Sequence, residues 1–188
     1  MIQLLEPIGP SLQRAIGVIE ECHGVAEKPW SAPWFWDDDG SRAQSELYHW
    51  DDHPDRATRK TLARLVWDLA VEKSEPTVWL FRDFLPESSL ALLLCTAARV
   101  PLKGLFRATV TDTKFNAMAR RAARLGSAPL HVGRTPSTDA FQEALMLAGS
   151  GTGIVNAVCD WVPPTEELLI AKDSGLRVIF PDQPEFAL

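Results

Sequence analysis

From residue 46 onward the chain alternates between two kinds of apolar pattern. Short β-branched and aromatic runs predict strands at 46–50, 77–81, 129–133, 153–159 and 176–180. Between them, apolar residues return every three or four positions and predict helices at 58–73, 87–98, 112–125, 138–148 and 165–173. Leu62, Leu65, Val66 and Leu69 make one such stripe, and Phe115, Met118, Ala122 and Leu125 another. Boundary residues agree: Pro86 suits a first helical turn, Thr111 and Thr138 can cap the helices they precede or begin, and Gly126 stops one. A short piece at 101–107 is left unassigned. Strands separated by helices imply an α/β fold with a doubly wound, mostly parallel sheet.

The N-terminal part is different. Leu12, Ile16 and Ile19 predict an amphipathic helix over 10–25. Pro29, Trp30, Pro33, Trp34, Phe35 and Trp36 then run into Asp37-Asp38-Asp39-Gly40, an irregular segment pinned by its aromatic side chains. The expected organisation is an N-terminal helix and Trp/Pro-rich arm over 1–40, followed by one α/β domain over 41–188.

Composition narrows the class. With 188 residues and 46% hydrophobic content, the chain can bury one sizeable core. No run of 18 apolar residues is present and the start lacks the pattern of a signal peptide, so no membrane contact is expected. Cys22, Cys95 and Cys159 have no CxxC spacing and read as buried free thiols, which suits a reducing cytoplasm. The four histidines show no metal-ligand spacing, and Asp37-Asp38-Asp39 reads as a turn, so no metal is expected. Ser45, Asp52, His53 and Asp55 hold the ingredients of acid–base chemistry without any feature that fixes their geometry.

Charge is unevenly spread. The net charge is −6, yet the segment 99–134 holds eight basic residues against one acid, Asp112. It carries +7 and leaves −13 for the remainder. Lys114, Arg120, Arg121 and Arg124 are its densest part, a candidate patch for a nucleic acid or for an acidic protein surface, another copy of the chain included.

One short stretch carries a chemical motif. After the strand 46–50, Pro54-Asp55-Arg56-Ala57-Thr58-Arg59-Lys60-Thr61 leads into the helix 58–73, the layout of a phosphate-binding P-loop, G-x-x-x-x-G-K-[ST]. Both glycines are replaced, by Pro54 and Arg59. Glycines let backbone N–H groups wrap a phosphate through conformations and approaches that a Cβ forbids. Lys60 and Thr61, with Arg59 beside them and Asp160 closing a later apolar strand, therefore read as a vestigial nucleotide site.

Further links extend the likeness. Val78-Trp79-Leu80-Phe81 with the helix from Ser89 to Leu94, then Ala98-Arg99-Val100-Pro101-Leu102, recur in order. Ala128-Pro129-Leu130-His131-Val132, the turn Thr135-Pro136-Ser137-Thr138 and the pair Asp160-Trp161 follow. Over roughly 28–180 this series resembles the RecA-like ATPase domain of replicative hexameric DNA helicases of the DnaB type. The resemblance implies a RecA-like P-loop fold in which Lys60 would meet the β- and γ-phosphates, Thr61 the Mg²⁺, and Asp160 that Mg²⁺ through water. The departures fall on the chemistry. The family's catalytic glutamate aligns with Phe84, with Asp83 one residue out of register, and its acidic pair before the turn is Gly133-Arg134. The later strands, DNA-binding loops and arginine finger that the resemblance places after 176–180 do not follow before Leu188.

The resulting expectation is a non-catalytic helicase-like protein that has lost ATP hydrolysis, needs no cofactor, and acts through a protein partner or self-association in DNA replication or repair. A helicase ring is one such partner. The alternatives are an ATP-binding family member with a non-standard loop, using ATP and Mg²⁺, and a nucleic-acid-binding module built on 99–134.

Overall fold

The central strand carries the fold. In the computed structural model, which describes residues 5–24, 56–82, 85–106 and 109–181, every residue of Thr77–Phe81 is buried. Such a strand must be covered on both faces, and its unbroken apolar run reflects that. It is the second of five strands: β1 (Glu6–Pro7), β2 (Thr77–Phe81), β3 (Leu130–Arg134), β4 (Asn156–Cys159) and β5 (Arg177–Ile179). They stand in the order β1-β3-β2-β4-β5. β2 runs parallel to both β3 and β4, and β4 parallel to β5, with Trp79 opposite Val132 on one side and Val158 on the other.

The protein is thus α/β, but its sheet is mixed. β1 pairs antiparallel with β3, placing Glu6 opposite Val132 and Pro7 opposite His131. No alternation marks these two residues, and sequence reading passed over them. The strand expected at 46–50 and the Trp/Pro-rich arm lie outside the described residues.

Helices cover the two faces. α1 (Ile8–Gly24), α2 (Arg56–Val66), α3 (Pro86–Ala97), α4 (Leu102–Phe106) and α5 (Asp112–Gly126) lie on one side, with α6 (Thr138–Gly149) and α7 (Thr165–Asp173) on the other. Side chains of β2 alternate between two cores. Trp79 and Phe81 join Leu12, Ala15, Leu90 and Leu125 in the larger. Val78 and Leu80 join Phe141, Leu145, Trp161 and Ala171 in the smaller. α1 packs into the larger core, with Leu12, Ala15, Val18 and Ile19 buried.

Several boundaries differ from expectation for local reasons. The helix expected over 58–73 is α-helical only to Val66, and Trp67–Glu72 widens into a π-helical segment. Within the piece at 101–107, Leu102–Phe106 form the short helix α4. The strand expected from 153 starts at Asn156, because Gly151 (φ +88°) and Gly153 (φ +72°) turn the chain in a left-handed conformation just before it. Ser137, not Thr138, caps α6: its hydroxyl accepts from the Ala140 N–H at 3.2 Å. Thr111 sits at the cap position of α5 without a side-chain cap bond. Gly126 is the last residue of α5 rather than its left-handed stop, and a Cβ there would stand 3.4 Å from Leu12.

Candidate functional site

The Lys-Thr pair lies deeper in its helix than a phosphate loop requires. Arg56 is already helical, so Lys60 and Thr61 are at least the fifth and sixth residues of α2. Only the first four N–H groups of a helix lack an intrahelical acceptor. Those of Lys60 and Thr61 are therefore committed to the helical ladder. The Thr61 hydroxyl is committed as well, donating to the Ala57 carbonyl at 3.0 Å. Arg59 is only 8% exposed, and Lys60 is half-buried. Pro54 and Asp55 lie outside the described residues.

Asp160 stands where ligands of parallel α/β sheets bind, at the carboxyl ends of the strands. It follows β4 directly; its N–H donates to the Leu80 carbonyl at 3.1 Å and its Oδ1 accepts from the Arg82 N–H at 3.0 Å. On the other side of β2, the Thr135 N–H donates to the Phe81 carbonyl at 2.8 Å, and its hydroxyl reaches the same oxygen at 3.3 Å. The ends of β2, β3 and β4 are thereby tied together. The Thr61 hydroxyl is bonded within its own helix instead.

Beside Asp160 a buried polar cluster closes the edge. The Arg82 guanidinium pairs with Glu167, whose side chain is fully buried, and lies 4.4 Å from the Trp161 ring centre. Glu167 also accepts from Trp161 Nε1 at 2.9 Å and from the Thr138 hydroxyl at 2.9 Å. Thr138 reaches Glu166 at 3.3 Å, and Phe141 meets Trp161 edge-on at 5.4 Å. A buried carboxylate with three donors is electrostatically satisfied. It holds three elements together and is occupied as a base or metal ligand. Cys159, in β4 itself, is held as a neutral thiol: burial pushes its pKa well above the usual value, and the charges of Asp160 and Glu167 act the same way against Arg82. A thiol in that state is a poor nucleophile. Among the described residues no group of three metal-ligating side chains gathers.

The basic patch is brought together on α5, but its members differ. Lys114, Arg120 and Arg124 are exposed and Arg121 is half-buried. Arg124 pairs with Glu72 at 2.9 Å, and the guanidinium carbons of Arg121 and Arg124 lie 5.3 and 5.5 Å from the Trp67 ring centre. Trp67 in turn donates to Glu72 at 2.7 Å. The Glu72 carboxyl is held below its usual pKa, chiefly by the Arg124 hydrogen bond and then by that of Trp67. Arg121 and Arg124 thus fasten α5 to the π-helical segment, while Lys114 and Arg120 project from it.

Arg82, Trp161 and Glu167 were not picked out by sequence reading as a unit. Glu167 reads locally as an ordinary acid in the first turn of a helix, where the dipole favours it. Ser45, Asp52, His53, Asp83, Phe84 and the Asp37–Asp39 run lie outside the described residues. No family model matches the chain, and no curated protein or solved structure matches it. No helix among the described residues is long and apolar enough to cross a membrane.

Proposed function

We propose that this chain is a RecA-like protein of the DnaB-helicase type that has lost ATP hydrolysis and works through protein–protein contact or self-assembly, in the setting of DNA replication or repair that the resemblance implies. The reading rests above all on the Lys60–Thr61 pair: both N–H groups lie within the helical ladder, and the Thr61 hydroxyl is bonded to Ala57. The order of helices and parallel strands supports the retained scaffold, and the internal commitment of Arg82, Thr138, Trp161 and Glu167 supports a closed strand edge.

The placement of Asp160 at the end of β4 favours the second reading, an ATP-binding member with a non-standard loop. Thermal unfolding with Mg-ATP and Mg-ADP separates the two. A ligand at 100 times its Kd stabilises a fold by about 2.7 kcal/mol. No shift at millimolar nucleotide is the expected result; a shift that Lys60→Ala abolishes would overturn the proposal and establish nucleotide binding.

A further inference from the structure

We infer that the outer surface of α6 and α7 is a docking site for a basic amphipathic helix of a protein partner, one with an apolar stripe flanked by Lys or Arg. This rests on the proposed action through protein contact and names the chemistry of what is contacted. In α6 the core-facing stripe is already complete: Phe141, Ala144, Leu145 and Ala148 recur at helical spacing, and all four are buried. Met146 and Leu147 fall outside that stripe and stand 67% and 43% accessible, and on α7 Leu169 is 60% accessible. The core makes no use of these large apolar side chains.

Two grooves share Met146 as a border. One, of about 490 Å³, is lined from both helices by Leu145, Leu169 and Ile170 and carries Asp173. The other, of about 370 Å³, lies along α6 beside Leu147 and carries Asp139 and Glu143. No base lines either groove, and Lys172, the one base on the two helices, belongs to neither. None of the three carboxylates enters an ion pair among the described residues. Asp139, Glu143 and Met146 follow at helical spacing and form one exposed row. An apolar surface bordered by unmatched carboxylates selects its occupant by charge. A helix laid along it would cover Met146 and Leu169 with its apolar stripe. Cations on one flank would meet Asp173, and those on the other Asp139 and Glu143. The 12 residues of α6 span about 18 Å, room for roughly three turns of such a helix. An acidic helix or an anionic membrane would be repelled by the same carboxylates.

Titrating the full chain with a synthetic peptide of about 14 residues, Leu on one helical face and Lys on both flanks, tests this. The protein has three methionines, Met1, Met118 and Met146. Methyl-labelled methionine therefore gives an NMR signal at the surface itself, assigned by Met146→Leu. The peptide should bind with a Kd on the order of 10–100 µM and shift the Met146 signal. Met146→Lys in the protein, or Glu in place of Lys in the peptide, should weaken binding by roughly tenfold or more. Met146 is exposed, so the fold is expected to persist, with circular dichroism as the check. No binding at about 1 mM peptide, a Met146 signal that stays in place, or equal binding of the acidic peptide would overturn the inference. So would self-association, read by sedimentation velocity, that Met146→Lys abolishes, because a second copy would then be the occupant. These outcomes leave the reading of lost nucleotide chemistry untouched; thermal unfolding with Mg-ATP tests that reading by itself.

Discussion

Arg82 and Glu167 meet across 85 residues of sequence, joining the end of β2 to the first turn of α7. The Glu167 side chain is fully buried, whereas that of Arg82 keeps 22% exposure. The pair is therefore asymmetric: the carboxylate depends wholly on protein donors, while the guanidinium retains contact with solvent and stacks on Trp161.

Removing the carboxylate should be costly. Glu167→Ala leaves Arg82, Trp161 and Thr138 without their common acceptor and opens a void against α6. A loss of about 3–5 kcal/mol is expected, the range for breaking a buried pair from one side. Glu167→Gln keeps an acceptor oxygen and should cost less, about 1–3 kcal/mol. Urea midpoints at neutral pH read both values. A Glu167→Ala loss under about 1 kcal/mol would show that the cluster contributes little to stability.

Burial of Cys95 makes stability pH-dependent at the alkaline end. Burial pushes its pKa up to about 12. Because the native value is raised, this contribution is fully present below the unfolded thiol's value, near 8.5, and is lost as pH rises toward about 12. One thiol should account for about 2 kcal/mol of loss between roughly pH 8 and pH 10. Cys95→Ala should reduce the alkaline loss by that amount, whatever its own packing cost. Urea unfolding of both proteins at the two pH values gives the difference, and equal alkaline losses would contradict the assignment.

Arg99 ends α3 in a conformation that suits glycine. Its φ is +56°, and the bonds Val100 N–H to Cys95 at 2.8 Å and Arg99 N–H to Thr96 at 3.2 Å form the paired closure of a helix C-terminus. A side chain at this position carries a left-handed penalty on the order of 1 kcal/mol. Arg99→Gly should raise stability by up to about 1 kcal/mol, less the extra entropy glycine adds to the unfolded chain. The thermal midpoint checks it; a fall would mean that the Arg99 side chain contributes more than its backbone strain costs.

The parts of this fold legible in the sequence are those with a local cause. Met118, Ala122 and Leu125 mark one face of α5, and all three are buried there. Val78 to Phe81 announce a strand because it is covered on both faces. What stayed hidden has distant or ambiguous causes. Ser137 and Thr138 are equally good caps on paper; only the packing of α7 against α6 draws the Thr138 hydroxyl to Glu167 and leaves Ser137 to cap. β1 exists because β3 offers an edge, which no pattern in Glu6–Pro7 encodes. The Lys60–Thr61 motif showed the opposite limit. Spacing identified the residues, but not that Arg56 would already be helical and place them a turn inside α2.

Two tryptophans provide a paired test of how polar satisfaction controls stability. Trp79 is 3% exposed within the larger core, and its Nε1 makes no hydrogen bond among the described residues. Trp161 is 8% exposed, and its Nε1 donates to Glu167 at 2.9 Å. Substitution by Phe removes a similar volume at each site, so the packing losses should be comparable. The polar terms differ in sign. Trp79→Phe eliminates a donor whose burial costs about 1–3 kcal/mol when unmatched, offsetting much of the packing loss. Trp161→Phe strips one of three donors from a buried carboxylate and adds a further cost of about 1.5–3 kcal/mol, the range for hydrogen bonds to charged groups. Trp161→Phe should therefore be the more destabilising by about 2 kcal/mol or more in urea unfolding, although Trp79 lies in the central strand. The reverse order would mean that packing around Trp79 outweighs the unmatched donor.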